Sequence, residues 1–213
     1  MKKLCFAVAL AAMAPASWAQ GYVGALVTLS RLTEACVPSF RCDDDRKTGQ
    51  KVFAGAYLTN AQVLSLGSAK INRVEVGAMR MGRVTSTGQV STQVYVNDAD
   101  GERYLTVQVP AETRIQADAI MAAAVMEVPL VQQVNLTAKL GLAYVSATAV
   151  LERSGKRFDS VTKTSFQPYV GLGVEYALPF NVQLHGGVDW TRYRVDGQSG
   201  SATQVGLGAA VSF

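Results

Sequence analysis

The chain has 213 residues, 49% of them hydrophobic and 17% charged, with 19 glycines and a formal net charge of +4; its mean hydropathy is +0.15. That is apolar for a soluble domain, yet beyond the first residues no run of about eighteen apolar side chains exists to cross a bilayer as a helix. Without Lys2 and Lys3, which lie in a segment expected to be removed, 18 basic residues face 16 acidic ones, so the pI near 9.0 does not point to a nucleic-acid partner.

Residues 1–19 carry Lys2 and Lys3, then an apolar core, then Ser17-Trp18-Ala19, a small-x-small site before Gln20. This is the pattern of a secretory signal peptide, with 20–213 as the mature domain. From Gln20 the sequence alternates: Val23, Ala25, Val27 and Leu29 fall on one face, Tyr22, Gly24, Leu26, Thr28 and Ser30 on the other. Such a period of two marks a strand with one apolar side. The stretch 33–50 breaks the pattern with Cys36, Cys42 and Asp43 to Asp45. Two cysteines closing a small loop in an exported chain are expected to form a disulfide; a thiol metal site lacks supporting ligands, since the only histidine, His185, is far away in sequence.

Alternation resumes at 51–59, with Val52, Ala54 and Ala56 opposed by Lys51, Phe53 and Gly55. Residues 60–72 fit either a short helix or an extended piece and read as an enlarged turn. A third strand at 73–82 sets Val74, Val76 and Ala78 outward and Glu75, Gly77, Met79 and Met81 inward; Arg80 then falls on the outer face, which a headgroup rim would tolerate. Residues 83–114 are too polar to cross a membrane comfortably and read as a hairpin insertion turning at 97–101.

Strands follow at 116–130, with Ile120, Ala122, Ala124 and Met126 outward, and from 134, with Leu136, Leu140, Leu142 and Tyr144 outward. After a charged loop at 152–163, Val170, Leu172, Val174 and Tyr176 form one face of the next strand. Pro179 to Asn181 is a tight turn, Leu184, Val188 and Trp190 follow outward, and TQVGLGAAVSF at 203–213 ends the chain on Phe213. Long connections on one side and short turns on the other give eight strands, each needing only about 10 alternating residues, or ten strands if the hairpin itself crosses. The class is an all-β antiparallel up-and-down transmembrane barrel.

The segments YVGALVTLS, KVFAGAY, VEVGAMRMG, AKLGLAY, YVGLGVEY and the terminal GLGAAVSF, in that order, resemble the small OmpA-like outer-membrane barrel family. The resemblance implies a monomeric barrel in the bacterial outer membrane, surrounded by lipid and lipopolysaccharide and inserted by the barrel-assembly machinery, which reads the terminal aromatic Phe213. No peptidoglycan-binding domain follows the barrel, so tethering to the cell wall is not expected. Members often carry an inward carboxylate in the seventh strand where this chain has Gly187, with Asp189 two residues on.

The inward register collects Lys51, Arg73, Glu75, Glu127, Lys139, Glu175, His185 and Asp189. Opposite charges in so narrow an interior are expected to pair as a plug, with Lys139 meeting one or more of Glu75, Glu127 and Glu175, while a narrow ion path is the alternative. Gly171, Gly173, Gly206 and Gly208 leave room for the long side chains.

Some small barrels modify lipid A with serine or histidine groups, but no serine lies within three residues of His185, so catalysis is not expected. Neither Asp43 to Asp45 nor the turn at 97–101 has the spaced oxygen ligands of a calcium site, and no metal or cofactor is expected. Arg31 and Arg80 are candidates to meet lipopolysaccharide phosphates. The expected role is structural, supporting envelope integrity, with an adhesin using the 85–112 hairpin toward a surface ligand, or a narrow porin, as alternatives.

Overall fold

A computed structural model describes residues 20–33, 41–42, 46–58, 63–66, 69–98, 101–153, 156–195 and 198–213. The segment 1–19, Cys36, Asp43 to Asp45 and the side chain of Cys42 lie outside the described residues, so the expected signal peptide and disulfide are not among the structural findings.

Eight long strands form the wall: β1 (Gly21–Leu32), β2 (Arg46–Tyr57), β3 (Ala69–Asp98), β4 (Gly101–Val131), β5 (Val134–Arg153), β6 (Lys156–Ala177), β7 (Val182–Val195) and β8 (Gln198–Ser212). Each pairs antiparallel with its neighbours in sequence, and β1 pairs with β8, so the sheet closes on itself. Closure leaves no unpaired edge in the wall, the condition for a sheet to stand in a bilayer. Its seam runs from Tyr22↔Ser212 to Leu32↔Ala202. Below that, Phe213 completes the ladder, its N–H donating to the Gly21 carbonyl at 2.9 Å and its carbonyl accepting from the Gly21 N–H at 3.1 Å.

The two faces of the wall are sorted as the alternation requires. Val27, Leu29, Val76, Ile120, Leu140, Leu142, Leu172, Leu207 and Phe213 are exposed on the outside, while their alternating neighbours, including Tyr22, Phe53, Met79, Met121, Val145 and Tyr169, are buried inside. At the end holding Gly21 and Phe213 the turns after β4 and β6 are tight. Phe180 and Asn181 both have positive φ, 65° and 59°, the paired left-handed geometry whose twist matches that of the flanking strands.

At the other end the strands outrun the wall. Residues 83–114 are not separate strands but the continuation of β3 and β4, whose pairing runs from Lys70↔Glu127 to Asp98↔Gly101. The barrel therefore has eight strands, not ten. The register shifts once between Arg80 and Arg83, where Gly82 takes a φ of +77°. A left-handed glycine is the usual way to absorb one extra residue in a ladder. The consequence is that Arg80 and Arg83 both stay exposed on the outer face, with Met81 buried between them.

The described part of 60–72 also differs from an enlarged turn. β3 begins at Ala69 rather than near 73, and Leu64–Leu66 folds back antiparallel onto Ala69 to Ile71. The extended alternative prevails there because the neighbouring ladder offers backbone partners that a lone helical turn could not match. Likewise β5 and β6 run on through the charged stretch at 152–163 and are paired to Arg153↔Lys156.

Candidate functional site

The half of the lumen nearer the chain's ends is built from ions and tyrosines. β3 places Arg73 and Glu75 two residues apart on the inner face, where both are almost fully buried, at 0% and 1% exposure. A buried charge is tolerable only with a partner of opposite sign and good hydrogen bonds. Arg73 has two: its guanidinium lies 2.8 and 2.9 Å from the Glu175 oxygens on β6 and 2.5 Å from Glu127 on β4. Asn72, at another register shift in β3 between Ile71 and Arg73, donates to Glu127, and His185 Nδ1, on the adjacent strand β7, lies 3.2 Å from Glu175. The guanidinium also stacks against the rings of Tyr22 and Tyr57, 5.1 and 5.5 Å from their centroids.

A second cluster sits beside the first. Lys139 Nζ is 2.6 Å from Glu75. Lys51 Nζ is 2.9 Å from Asp189 and 3.5 Å from the other Glu75 oxygen, and it donates to the Tyr169 hydroxyl at 2.8 Å. That hydroxyl in turn donates to Asp189. Tyr22 OH, 3.3 Å from Glu75, links the clusters. Phe53 lies under both lysines, 5.7 and 5.2 Å from their nitrogens, and is edge-on to His185.

All eight inward titratable residues expected from the alternation are thus brought together, and Lys139 meets one of its three expected partners. Lys139 contacts Glu75; Glu127 and Glu175 belong to Arg73. The register explains the choice. Arg73, Val125 and Lys139 share one row across β3, β4 and β5, and the next inward position on β4 is Ala123, buried and too short to keep Lys139 from Glu75. Asp189, two residues beyond Gly187 on β7, accepts from Lys51 at 2.9 Å.

Tyr22, Phe53, Tyr57 and Tyr169 are the members that a search for charged residues misses, and their shared inward parity was the available signal. Gly173, Gly187 and Gly206 are in register across β6, β7 and β8. With Lys51, Thr137, Lys139, His185 and Asp189 they line a cavity with room for about one water.

The hairpin half of the lumen is different in kind. Leu32, Met79, Met81, Val84, Ile115, Ala117, Ala119, Met121, Val145, Tyr193 and Val195 pack into one buried cluster. Uncharged polar side chains are buried with it, among them Ser86, Gln167 and Gln204, the last donating to Ser30 at 2.8 Å and to the Arg80 carbonyl at 3.1 Å. Along the axis, an ionic half is therefore followed by an apolar half.

Comparison with known proteins adds the lineage. The model of the outer membrane protein beta-barrel domain matches residues 4–213. No curated protein matches the sequence. Among solved structures, Ail, the attachment invasion locus protein of Yersinia pestis, is 11% identical, with a TM-score of 0.49 and coverage of 92% of this chain and 97% of that one. Neisserial surface protein A is 15% identical, with a TM-score of 0.48 over 92% and 97%. The N-terminal barrel of Pseudomonas aeruginosa OprF is 12% identical, with a TM-score of 0.44 over 92% and 99%. With the family model spanning nearly the whole chain, this protein belongs to the outer membrane protein β-barrel domain family and is a bacterial outer-membrane barrel.

Proposed function

We propose that this protein is a closed structural barrel of the bacterial outer membrane, contributing to envelope integrity without conducting ions, catalysing a reaction or binding a cofactor, and oriented with its long hairpins outside the cell. Long extracellular loops and short periplasmic turns are the rule for such barrels. The observation that carries the reading is the filled lumen, with Arg73, Lys51 and Lys139 each held by carboxylates and the Met79, Met81 and Met121 layer closing the way beyond them. An ion entering from outside would have to shed water among methionines and valines before meeting any compensating charge, which is costly. Protein reconstituted in planar bilayers should give no large, steady conductance steps. Frequent steps of constant size that shift only in selectivity on Lys139→Met would replace this reading with a narrow porin.

A second role rests on a different observation. Among the described residues, 89–110 pair only with one another, forming a two-stranded ribbon beyond the wall. Tyr95 and Tyr104 meet edge to face across it, and Leu105 and Val107 are exposed. Free strand edges and exposed aromatics suit addition of an extended segment from a surface ligand. Deleting 88–111 should abolish binding to such a ligand while leaving a folded barrel; unchanged binding would remove the adhesin reading.

A further inference from the structure

The ribbon beyond the wall has two edges, and they are not alike. The β4 edge ends at Pro110, next to Ala111, where pairing with β5 begins. Proline has no N–H to offer a further strand, one of the devices that keep sheet edges from pairing. The β3 edge from Gly88 to Asn97 has no proline and no charged residue, and its ladder with β4 runs there without a bulge. Among the described residues, the only strand paired to that side of β3 above Gly82 is Arg41–Cys42, at Thr87 and Ser86. That side of β3 therefore accepts a strand at the base of the ribbon and carries no protection above it.

Three features favour a second copy of this chain as the occupant. An uncharged segment rich in β-branched residues can pair with itself, because no like charges oppose one another across the new ladder. Over the mature domain 18 basic residues face 16 acidic ones, so two copies repel each other only weakly at a distance. The ribbon by itself is also incomplete, since a two-stranded sheet is marginal in water and this one exposes Leu105 and Val107 on the face that continues from buried Ala111. Two ribbons joined edge to edge make four strands, with Val90, Leu105, Val107 and Val109 of each copy on one face.

Symmetry then fixes where that copy stands. An antiparallel ladder has a two-fold axis between its strands and a parallel ladder has none, so two identical edges pair isologously only when antiparallel. Since β3 rises away from its membrane, the β3 of the second copy must descend toward it, from an opposing membrane. The Arg41–Cys42 strand fills the lane below Gly88, and β3 ends at Asp98. The longest ladder these limits allow sets Gly88 opposite Asp98 of the second copy, Thr92 opposite Val94 and Gln93 opposite Gln93. We propose that the β3 edges of two copies in facing outer membranes join in this register, which makes the protein a homotypic cell-to-cell adhesin. The inference rests on the adhesin reading and the orientation given above; labelling of Thr106→Cys on intact cells, above the wild-type level, tests the orientation separately.

The test uses the full chain expressed in a non-clumping Gram-negative host with truncated lipopolysaccharide, in two cell populations of different colour. Each ladder is short, but many copies per cell add their effects. Wild-type cells should form two-colour clumps, counted by flow cytometry, and should not recruit cells without the protein. Gln93, exposed on β3, reads the register directly. Gln93→Lys sets lysine opposite lysine and should reduce clumping to the level of cells without the protein, and Gln93→Glu should do the same. Mixing Gln93→Lys cells with Gln93→Glu cells should restore two-colour clumps, because opposite charges then meet. Gln108→Lys, exposed on β4, should clump like wild type. Equal amounts of heat-modifiable barrel in the outer membrane show that each variant folds. The proposal is overturned if Gln93→Lys cells clump like wild type, if the lysine and glutamate variants stay apart when mixed, or if wild-type cells gather cells without the protein. If wild-type cells stay apart while deleting 88–111 still abolishes binding to a surface ligand, the second copy is rejected and the adhesin reading stands.

Discussion

Replacing Lys139 by methionine tests whether the lumen is held by specific ion pairs. The substitution keeps the length and apolar stem of the side chain and removes a nitrogen that lies 2.6 Å from Glu75. Glu75, 1% exposed, then keeps only Lys51 at 3.5 Å and the Tyr22 hydroxyl at 3.3 Å. Breaking a buried pair from one side costs about 3–5 kcal/mol, chiefly because a charge is left uncompensated. Lys51 still offers partial compensation, which places the expected loss near the lower bound, about 3 kcal/mol. With a urea dependence of about 2–3 kcal/mol/M, the midpoint of equilibrium unfolding in lipid vesicles should fall by roughly 1–1.5 M. Adding Glu75→Gln removes the stranded carboxylate while Lys51 keeps Asp189 at 2.9 Å. The double variant should therefore recover at least about 1 kcal/mol of that loss, a coupling within the range measured for residues in contact. A midpoint shift of less than about 0.3 M for Lys139→Met would mean that water in the lumen already screens these charges, and the plug argument would be wrong.

Two further outcomes follow from the same geometry and a third from the sequence. Deleting Phe213 removes both of its hydrogen bonds to Gly21 at the seam and the family's terminal aromatic, so the amount of heat-modifiable barrel in the outer membrane should drop; unchanged assembly would count against a role for this residue. Gly82→Val forces a β-branched residue into a φ of +77° and should cost about 1–3 kcal/mol in the same urea assay, with Gly82→Asn costing less. Cys36 and Cys42 should be found oxidised in protein isolated from the envelope, and because they close so short a loop, reducing them should lower stability by roughly 2–3 kcal/mol at most. Two free thiols in isolated protein would reject the bridge.

Residue chemistry alone determined the two faces of the wall. Strand side chains alternate strictly, and the surrounding lipid demands an apolar outer face, so once Val74 and Val76 are outward, Arg73 and Glu75 must be inward; the same parity assigned Lys51, Lys139, Glu175 and Asp189. The turn at Pro179 to Asn181 and the closing strand were legible for the same reason, each being a local pattern. What parity cannot supply is how far one strand is displaced along the next, and that displacement decides which inward charges meet. Only the closed sheet brought Lys139 to Glu75 and gave Glu127 and Glu175 to Arg73. Only the bulge at Gly82 kept Arg83 on the outer face, because one extra residue reverses the parity of everything after it. The apolar half of the lumen was likewise hidden, since Met81, Ile115, Val145 and Val195 come from four strands and become a single layer only when the barrel closes.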